Sequence, residues 1–204
     1  MLAELSTQVN DFLETSKQYI PQMLLVMAAL WLFNIINWST GSKLNRLGIR
    51  PRKAFGLIGI PLAPFLHGGF NHLLFNSIPL FFLGLFVMSL NLRVFFQATI
   101  IITLLAGFGV WCVGRKGIHI GASALIAGYF GFILVSAYQK PTFAALFCAA
   151  IAMYYFGGIL FSLFPTGEKA TSWEGHLCGF LGGVIAFFIC ANYQEYLDKI
   201  PLMP

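Results

Sequence analysis

The chain has 204 residues, of which 58% are hydrophobic and 9% charged, and its net charge is +5. A soluble domain carries about a quarter charged residues, so this composition excludes one and marks an integral membrane protein built as a single multi-span unit. The basic residues are dispersed through loops, which argues against nucleic acid as a partner.

Residues 1–19, "MLAELSTQVNDFLETSKQY", include Glu4, Asp11 and Glu14. They lack a basic start leading into an apolar core, so they do not read as a secretory signal. Leu2, Leu5, Val9, Phe12 and Tyr19 recur at roughly helical spacing. This fits a short amphipathic helix on the membrane surface or a soluble lead-in. A membrane domain is expected over 20–193, with a short tail over 194–204. Its six candidate spans are 20–38, 71–90, 94–113, 121–138, 143–164 and 174–193, judged against the roughly 20 apolar residues that cross a bilayer. The fourth is short.

Between the first two spans, "AFGLIGIPLAPFL" is apolar, too short to cross, and broken by Pro61 and Pro64. Irregular backbone at membrane depth needs protein around it, so the connection 39–69 is expected to be a structured element packed on the bundle. Its cations Lys43, Arg46, Arg50, Arg52 and Lys53 read as interfacial side chains snorkelling towards lipid phosphates. Cys112, Cys148, Cys178 and Cys190 fall in apolar runs without zinc spacing and read as small buried hydrophobes.

Polar residues in or beside spans are costly, and they carry the information. The apolar cores hold no Asp or Glu; Glu174 stands at the rim of the last span, and there is no HExxH. This argues against a two-aspartate protease, a carboxylate proton relay and zinc hydrolysis. What remains is Ser123 in "GIHIGASALIAGYFGF", His176 in "GHLCGFLGG", and His67, His72 and Asn76 in "HGGFNHLLFN". His72 and Asn76, four apart, share a helix face; alone, they read as satisfying loop carbonyls. His176, Gly179 and Gly183 make one small face, and Ser123, Ala127 and Gly131 another. Packed together, these faces would set the hydroxyl beside the imidazole, or would be plain small-residue packing. His119 reads as a solvated loop histidine. Glu174, two residues before His176, points away from its face.

The ordered set H-x4-H-x3-N, GxSx and H-x2-G-x3-G, each opening its own span, resembles the rhomboid family of intramembrane serine proteases. The resemblance runs from about residue 48 to 191 and includes the loop text "LGIRPRKAFGLIGIPLAPFLHGGFNHLLFN". It implies an all-α polytopic membrane protein, a six-transmembrane-helix bundle with a long structured first loop. It implies Ser123 as nucleophile and His176 as general base and later acid. His72, Asn76 and the Ser123 backbone N–H would then form the oxyanion hole. A serine hydroxyl needs such a base to become nucleophilic. No cofactor or metal is implied. The partners would be the lipid bilayer and transmembrane protein substrates arriving sideways, with the fifth span and the loop before His176 as gates and Gly157, Gly158 and Gly167 permitting movement.

The family topology implies a multi-pass protein of the bacterial inner membrane with both termini cytoplasmic. The positive-inside tendency opposes it: Lys43, Arg46, Arg50, Arg52, Lys53, Arg115, Lys116 and Lys169 lie on the far side, against Lys17, Arg93, Lys140 and Lys199 on the terminal side. Two positions depart from the family pattern, and a tryptophan–arginine pair seen in the first loop of some members is absent. Ala124 stands where glycine usually follows the serine, and Ala127 where some members stack an aromatic on the histidine, with Tyr129 two residues further. The alternative is a catalytically impaired rhomboid-like protein that binds membrane clients, and Ala124 is its main support.

Overall fold

The computed structural model describes the backbone of residues 2–165 and 172–199 and the side chains of residues 6–165 and 172–192. Its helices are α1 (Leu2–Ser39), α2 (Gly59–Leu62), α3 (Phe70–Leu90), α4 (Leu92–Val113), α5 (Ser123–Gln139), α6 (Phe143–Phe156) and α7 (Trp173–Lys199). Among the described residues there is no strand, only an isolated antiparallel bridge between Ile49 and His119. Among the described residues five segments are long and apolar enough to cross a membrane: Ser6–Ser39, Phe70–Leu90, Leu92–Val113, Phe143–Leu163 and Trp173–Asn192. The protein is an all-α integral membrane bundle. The remaining long element, α5, has 17 residues. At 1.5 Å per residue it measures about 25 Å, less than the roughly 30 Å hydrocarbon core.

The starts of α4, α6 and α7 are satisfied locally. Asn91, the one residue between α3 and α4, accepts from Val94 N at 3.0 Å. Thr142 accepts from Ala145 N at 3.2 Å, and Ser172 from Gly175 N at 3.2 Å. Each side chain satisfies a first-turn amide that has no partner within its helix. From Leu2 onward the lead-in is helical and continuous with the first span, because α1 runs unbroken through Pro21. Its Phe12 is buried against Phe147 near the start of α6, ring centroids 5.7 Å apart. The fifth span changes character part-way, from α-helix to a 3-10 segment at Gly157–Leu163. The last helix continues to Lys199, into the region expected as tail.

The centre of the molecule is the seam between α5 and α7. A Cβ on Gly179 would overlap the Ala124 carbonyl, and one on Gly183 the Gly128 carbonyl. Conversely, a Cβ on Gly131 would stand 2.6 Å from the Phe180 carbonyl oxygen. The two helices therefore touch backbone to backbone, the arrangement small residues permit in membranes. The seam face of α5 is Ala124, Gly128 and Gly131, one step round from the expected Ser123, Ala127 and Gly131. That rotation frees Ser123 from the seam and turns it into a cavity. Every residue from Leu125 to Ile133 is buried, so neighbouring helices ensheathe α5.

The first loop is structured, as expected, and is tied to α4. Ile60 of α2 packs on Gly107, where a Cβ would meet its Cγ2 at 2.6 Å. Arg52 corrects the snorkelling expectation. Its backbone N–H donates to Trp111 O and its guanidinium to Cys112 O, each at 2.9 Å, while Trp111 Nε1 donates to Lys53 O at 2.8 Å. A cation thus caps the last carbonyls of α4, where the helix dipole favours it. Among the cysteines, Cys148 and Cys190 are buried and Cys178 half-buried, but Cys112 is exposed near the end of α4.

The seam yields a stability prediction. Gly183→Val, which drives a side chain into the Gly128 backbone, is expected to destabilise the fold by about 1–3 kcal/mol. Gly158→Ala, where a Cβ meets nothing within 4 Å, should leave stability unchanged. Thermal unfolding of both variants in detergent checks this.

Candidate active site

The site is assembled from the first two turns of α3 and the first turns of α5 and α7. The turn entering α5 requires glycine at position 121 for two reasons. Gly121 has φ +115°, and a Cβ there would lie 2.7 Å from His72 Nε2 and 3.5 Å from Asn76 Nδ2. Only glycine combines that backbone with so close an approach. The His72 ring and the Asn76 amide thereby face the turn that delivers Ser123. His72 Nδ1 accepts from Gly68 N at 3.3 Å, so in the neutral ring the proton sits on Nε2, which faces that turn as a donor. Ser123 opens α5, and its N–H belongs to the first-turn amides that have no intrahelical acceptor.

His67, on which no role was placed from sequence, holds the same turn from beneath. It is fully buried, and its Nε2 accepts from Ala122 N at 3.4 Å. The adjacent Gly121 N donates to Ala63 O at 2.9 Å. The His67 backbone is fixed in turn by α1 and the first loop. Its N–H donates to Asn34 Oδ1 at 3.0 Å, and its carbonyl accepts from Trp38 Nε1 at 3.0 Å and Asn45 Nδ2 at 3.2 Å. The His67 and His72 rings meet edge to face, centroids 5.0 Å apart. The signal available in the sequence was the first histidine of H-x4-H-x3-N.

Ser123, Asn76 and His176 line two cavities in common. One, of about 770 Å³, is also lined by His72, Arg115, Lys116, His119 and Ser172. The other, of about 300 Å³, is bordered by Pro79 of α3, Ile126 of α5 and Tyr155, Phe156, Ile159 and Ser162 of the fifth span. A third space, of about 50 Å³, lies beside Ser123 and Ala124 and includes Thr103, His119 and Ser172. All four side chains expected at the site thus border the 770 Å³ cavity. No hydrogen bond joins Ser123 to His176, and His176 Nδ1 is buried without a partner. Among the described residues no group of three or more His, Cys, Asp or Glu is placed to hold a metal ion.

His119 departs from its reading as a solvated residue: it is half-buried, with both ring nitrogens hydrogen-bonded. Glu174 lines neither larger cavity and pairs with Arg115. Tyr129 is committed elsewhere, its hydroxyl 2.6 Å from Thr99 Oγ1 and its ring stacked on Phe95.

The family model for the Rhomboid domain matches residues 54–193, well over half of the chain. The protein belongs to the rhomboid family. An uncharacterized protein of Mycobacterium tuberculosis is 37% identical to this rhomboid over 175 residues, covering 82% of this chain and 73% of the relative. An uncharacterized protein of Mycobacterium leprae is 34% identical, covering 82% and 69%. The Bacillus subtilis protein named "Putative rhomboid protease YdcA" is 28% identical, covering 85% and 88%.

His67 gives this rhomboid an acid-sensitive element. Burial, reinforced by the nearby His72 charge, lowers its pKa from 6.5 to about 4. The folded chain keeps it neutral where the unfolded chain would protonate it. The stability it contributes is therefore fully present above pH 6.5 and is lost as pH falls from 6.5 towards 4. His67→Gln, which keeps an acceptor near the Nε2 position, should flatten that acid slope. His67→Leu leaves the Ala122 N–H unpaired and should cost about 1–3 kcal/mol at neutral pH. Unfolding midpoints measured across this pH range check both; equal slopes in wild type and His67→Gln would assign the titration to another group.

Proposed function

We infer that this rhomboid is an intramembrane serine endopeptidase that hydrolyses peptide bonds in or near transmembrane segments of membrane-protein substrates. The observation that carries the reading is the meeting of Ser123, His176, His72 and Asn76 around one cavity, with His72 Nε2 and Asn76 Nδ2 closing on Gly121. Family membership supports it.

In this mechanism Ser123 Oγ attacks the scissile carbonyl carbon while His176 takes the hydroxyl proton. The carbonyl oxygen becomes an oxyanion stabilised by His72 Nε2–H, Asn76 Nδ2–H and the Ser123 backbone N–H. Collapse of the tetrahedral intermediate breaks the C–N bond, and His176 gives its proton to the leaving amine. Water from the 770 Å³ cavity, deprotonated by His176, then hydrolyses the acyl-enzyme. A dyad without a carboxylate agrees with the placement of Glu174 on Arg115.

Ala124 is compatible with this chemistry. It is not among the residues of positive φ, so its backbone demands no glycine, and it borders the small space beside Ser123. The client-binding alternative draws support from the missing Ser123–His176 hydrogen bond. Catalytic hydrogen bonds are commonly long in substrate-free enzymes, which leaves the proteolytic reading ahead.

Substrates would arrive between α3 and the fifth span, where the 300 Å³ cavity lies. Their helices must unwind there, because a helical peptide bond is shielded. Gly157 and Gly158 meet no close neighbour that would fix them, so the 3-10 segment is a reasonable moving part; Gly167 lies outside the described residues. We place the protein in a bacterial inner membrane with both termini cytoplasmic. Two cations that oppose this by count, Arg52 and Arg115, are engaged in internal contacts.

Purified protein in liposomes should cleave a transmembrane reporter, and both Ser123→Ala and His176→Ala should abolish cleavage. His72→Ala and Asn76→Ala should each lower kcat by roughly 100- to 1,000-fold, the usual effect of losing one oxyanion donor. Undiminished cleavage by Ser123→Ala or His176→Ala would remove the dyad.

A further inference from the structure

A chain of polar contacts outside the dyad connects the loop before Ser123 to the first turn of α7. Glu174, whose side chain is 3% exposed, accepts from Arg115 Nε at 2.7 Å and from Arg115 N at 3.3 Å. Ser172 Oγ stands 3.4 Å from Glu174 Oε2 and 3.1 Å from His119 Nδ1, and His119 Nε2 is 2.9 Å from Arg115 O. A carbonyl can only accept, so His119 donates through Nε2, and the single Ser172 hydroxyl proton is shared between two alternative acceptors, His119 Nδ1 and Glu174 Oε2. Ser172 Oγ meanwhile accepts from Gly175 N at 3.2 Å. His119 is further pinned by its backbone bridge to Ile49, at 3.0 and 2.9 Å.

The spacing gives these contacts a purpose. His119 precedes Ser123 by four residues, and Ser172 precedes His176 by four. The loop and the helix turn start from different parts of the chain, and the α5–α7 seam begins only at Ala124 and Gly179. The polar contacts join the two chain segments just beyond it. We propose that Arg115, His119, Ser172 and Glu174 are positioning residues that lock the 115–122 loop to the start of α7 and thereby fix the separation of Ser123 from His176. This rests on the dyad reading above. A carboxylate buried this deeply is held by its guanidinium partner, and losing that pairing leaves an uncompensated charge.

The test uses full-length protein in detergent: wild type, Glu174→Gln, Ser172→Ala and Ser172→Thr. Three readouts are compared: the rate at which a fluorophosphonate probe labels Ser123, kcat and KM on the transmembrane reporter, and hydrogen exchange of the 115–122 amides. Glu174→Gln and Ser172→Ala are expected to lower labelling and kcat by about 100-fold, the scale of a roughly 1 Å misplacement. KM should stay unchanged, exchange over 115–122 should accelerate, and Ser172→Thr, which keeps the hydroxyl, should restore the rate. A rise in KM at constant kcat would overturn the proposal by making these residues substrate contacts. Wild-type labelling and exchange in Glu174→Gln would overturn it as well. If the wild type itself neither labels nor cleaves while exchange still responds to Glu174→Gln, the lock stands and the proteolytic reading falls.

Discussion

The direct contact of α5 with α7 is the constraint on which the rest of the molecule depends. Gly179 and Gly183 admit the carbonyls of Ala124 and Gly128 into the space where side chains would otherwise be. Apolar burial cannot choose a partner for a helix when lipid is as apolar as its neighbours, so close packing chooses it. Once the seam is closed, the register of the two helices is set. Their first residues, Ser123 and Trp173, then come to the same end of the bundle, and the polar groups of the site can meet.

Around that seam several polar groups taken from water are given partners from a different part of the chain. Asn34 reaches from α1 to the Phe65 carbonyl and the His67 amide, and His67 reaches on to Ala122. Arg52 leaves the first loop for the end of α4. In a protein interior such networks are strong when complete and costly when broken. The turn carrying Ser123 is therefore braced from α1, the first loop and α3. The amides of Gly121 and Ala122 are used for bracing, and the Ser123 N–H next to them is the backbone donor that the proposed mechanism uses.

Much of this was legible in the sequence, because hydrophobic length and the placing of Gly, Ser, His and Asn are local properties. The spans, the short fourth helix and the structured first loop all follow from runs of apolar residues and their interruptions. The residues of the candidate site were visible as costly polar groups at span starts. What was not legible depends on rotation and on distant partners. Whether Ser123 or Ala124 faces α7 is a matter of 100° of helix rotation, and Ser, Ala and Gly are all small enough for either face. His119 looked like a loop histidine because its partners, Ser172 and Arg115, include one more than fifty residues away. Arg52 looked like an interfacial cation for the same reason. Phe12 in the lead-in and Phe147 in α6 share no local pattern, so the continuity of α1 through Pro21 had no signature either.

The enclosure of α5 has a consequence for how the protein responds to the bilayer it occupies. Hydrophobic mismatch acts on helices through the lipid that touches them. The outer helices α1, α4 and α6 carry exposed apolar side chains such as Leu25, Ile100 and Leu146 and must tilt or adapt when the membrane thickens or thins. The 17 residues of α5 are wrapped by protein along most of their length, and its depth is set by α7 through the seam. A change of host lipid thus reaches Ser123 through the helices around α5, α7 among them, whose own Leu181 and Ile185 are exposed.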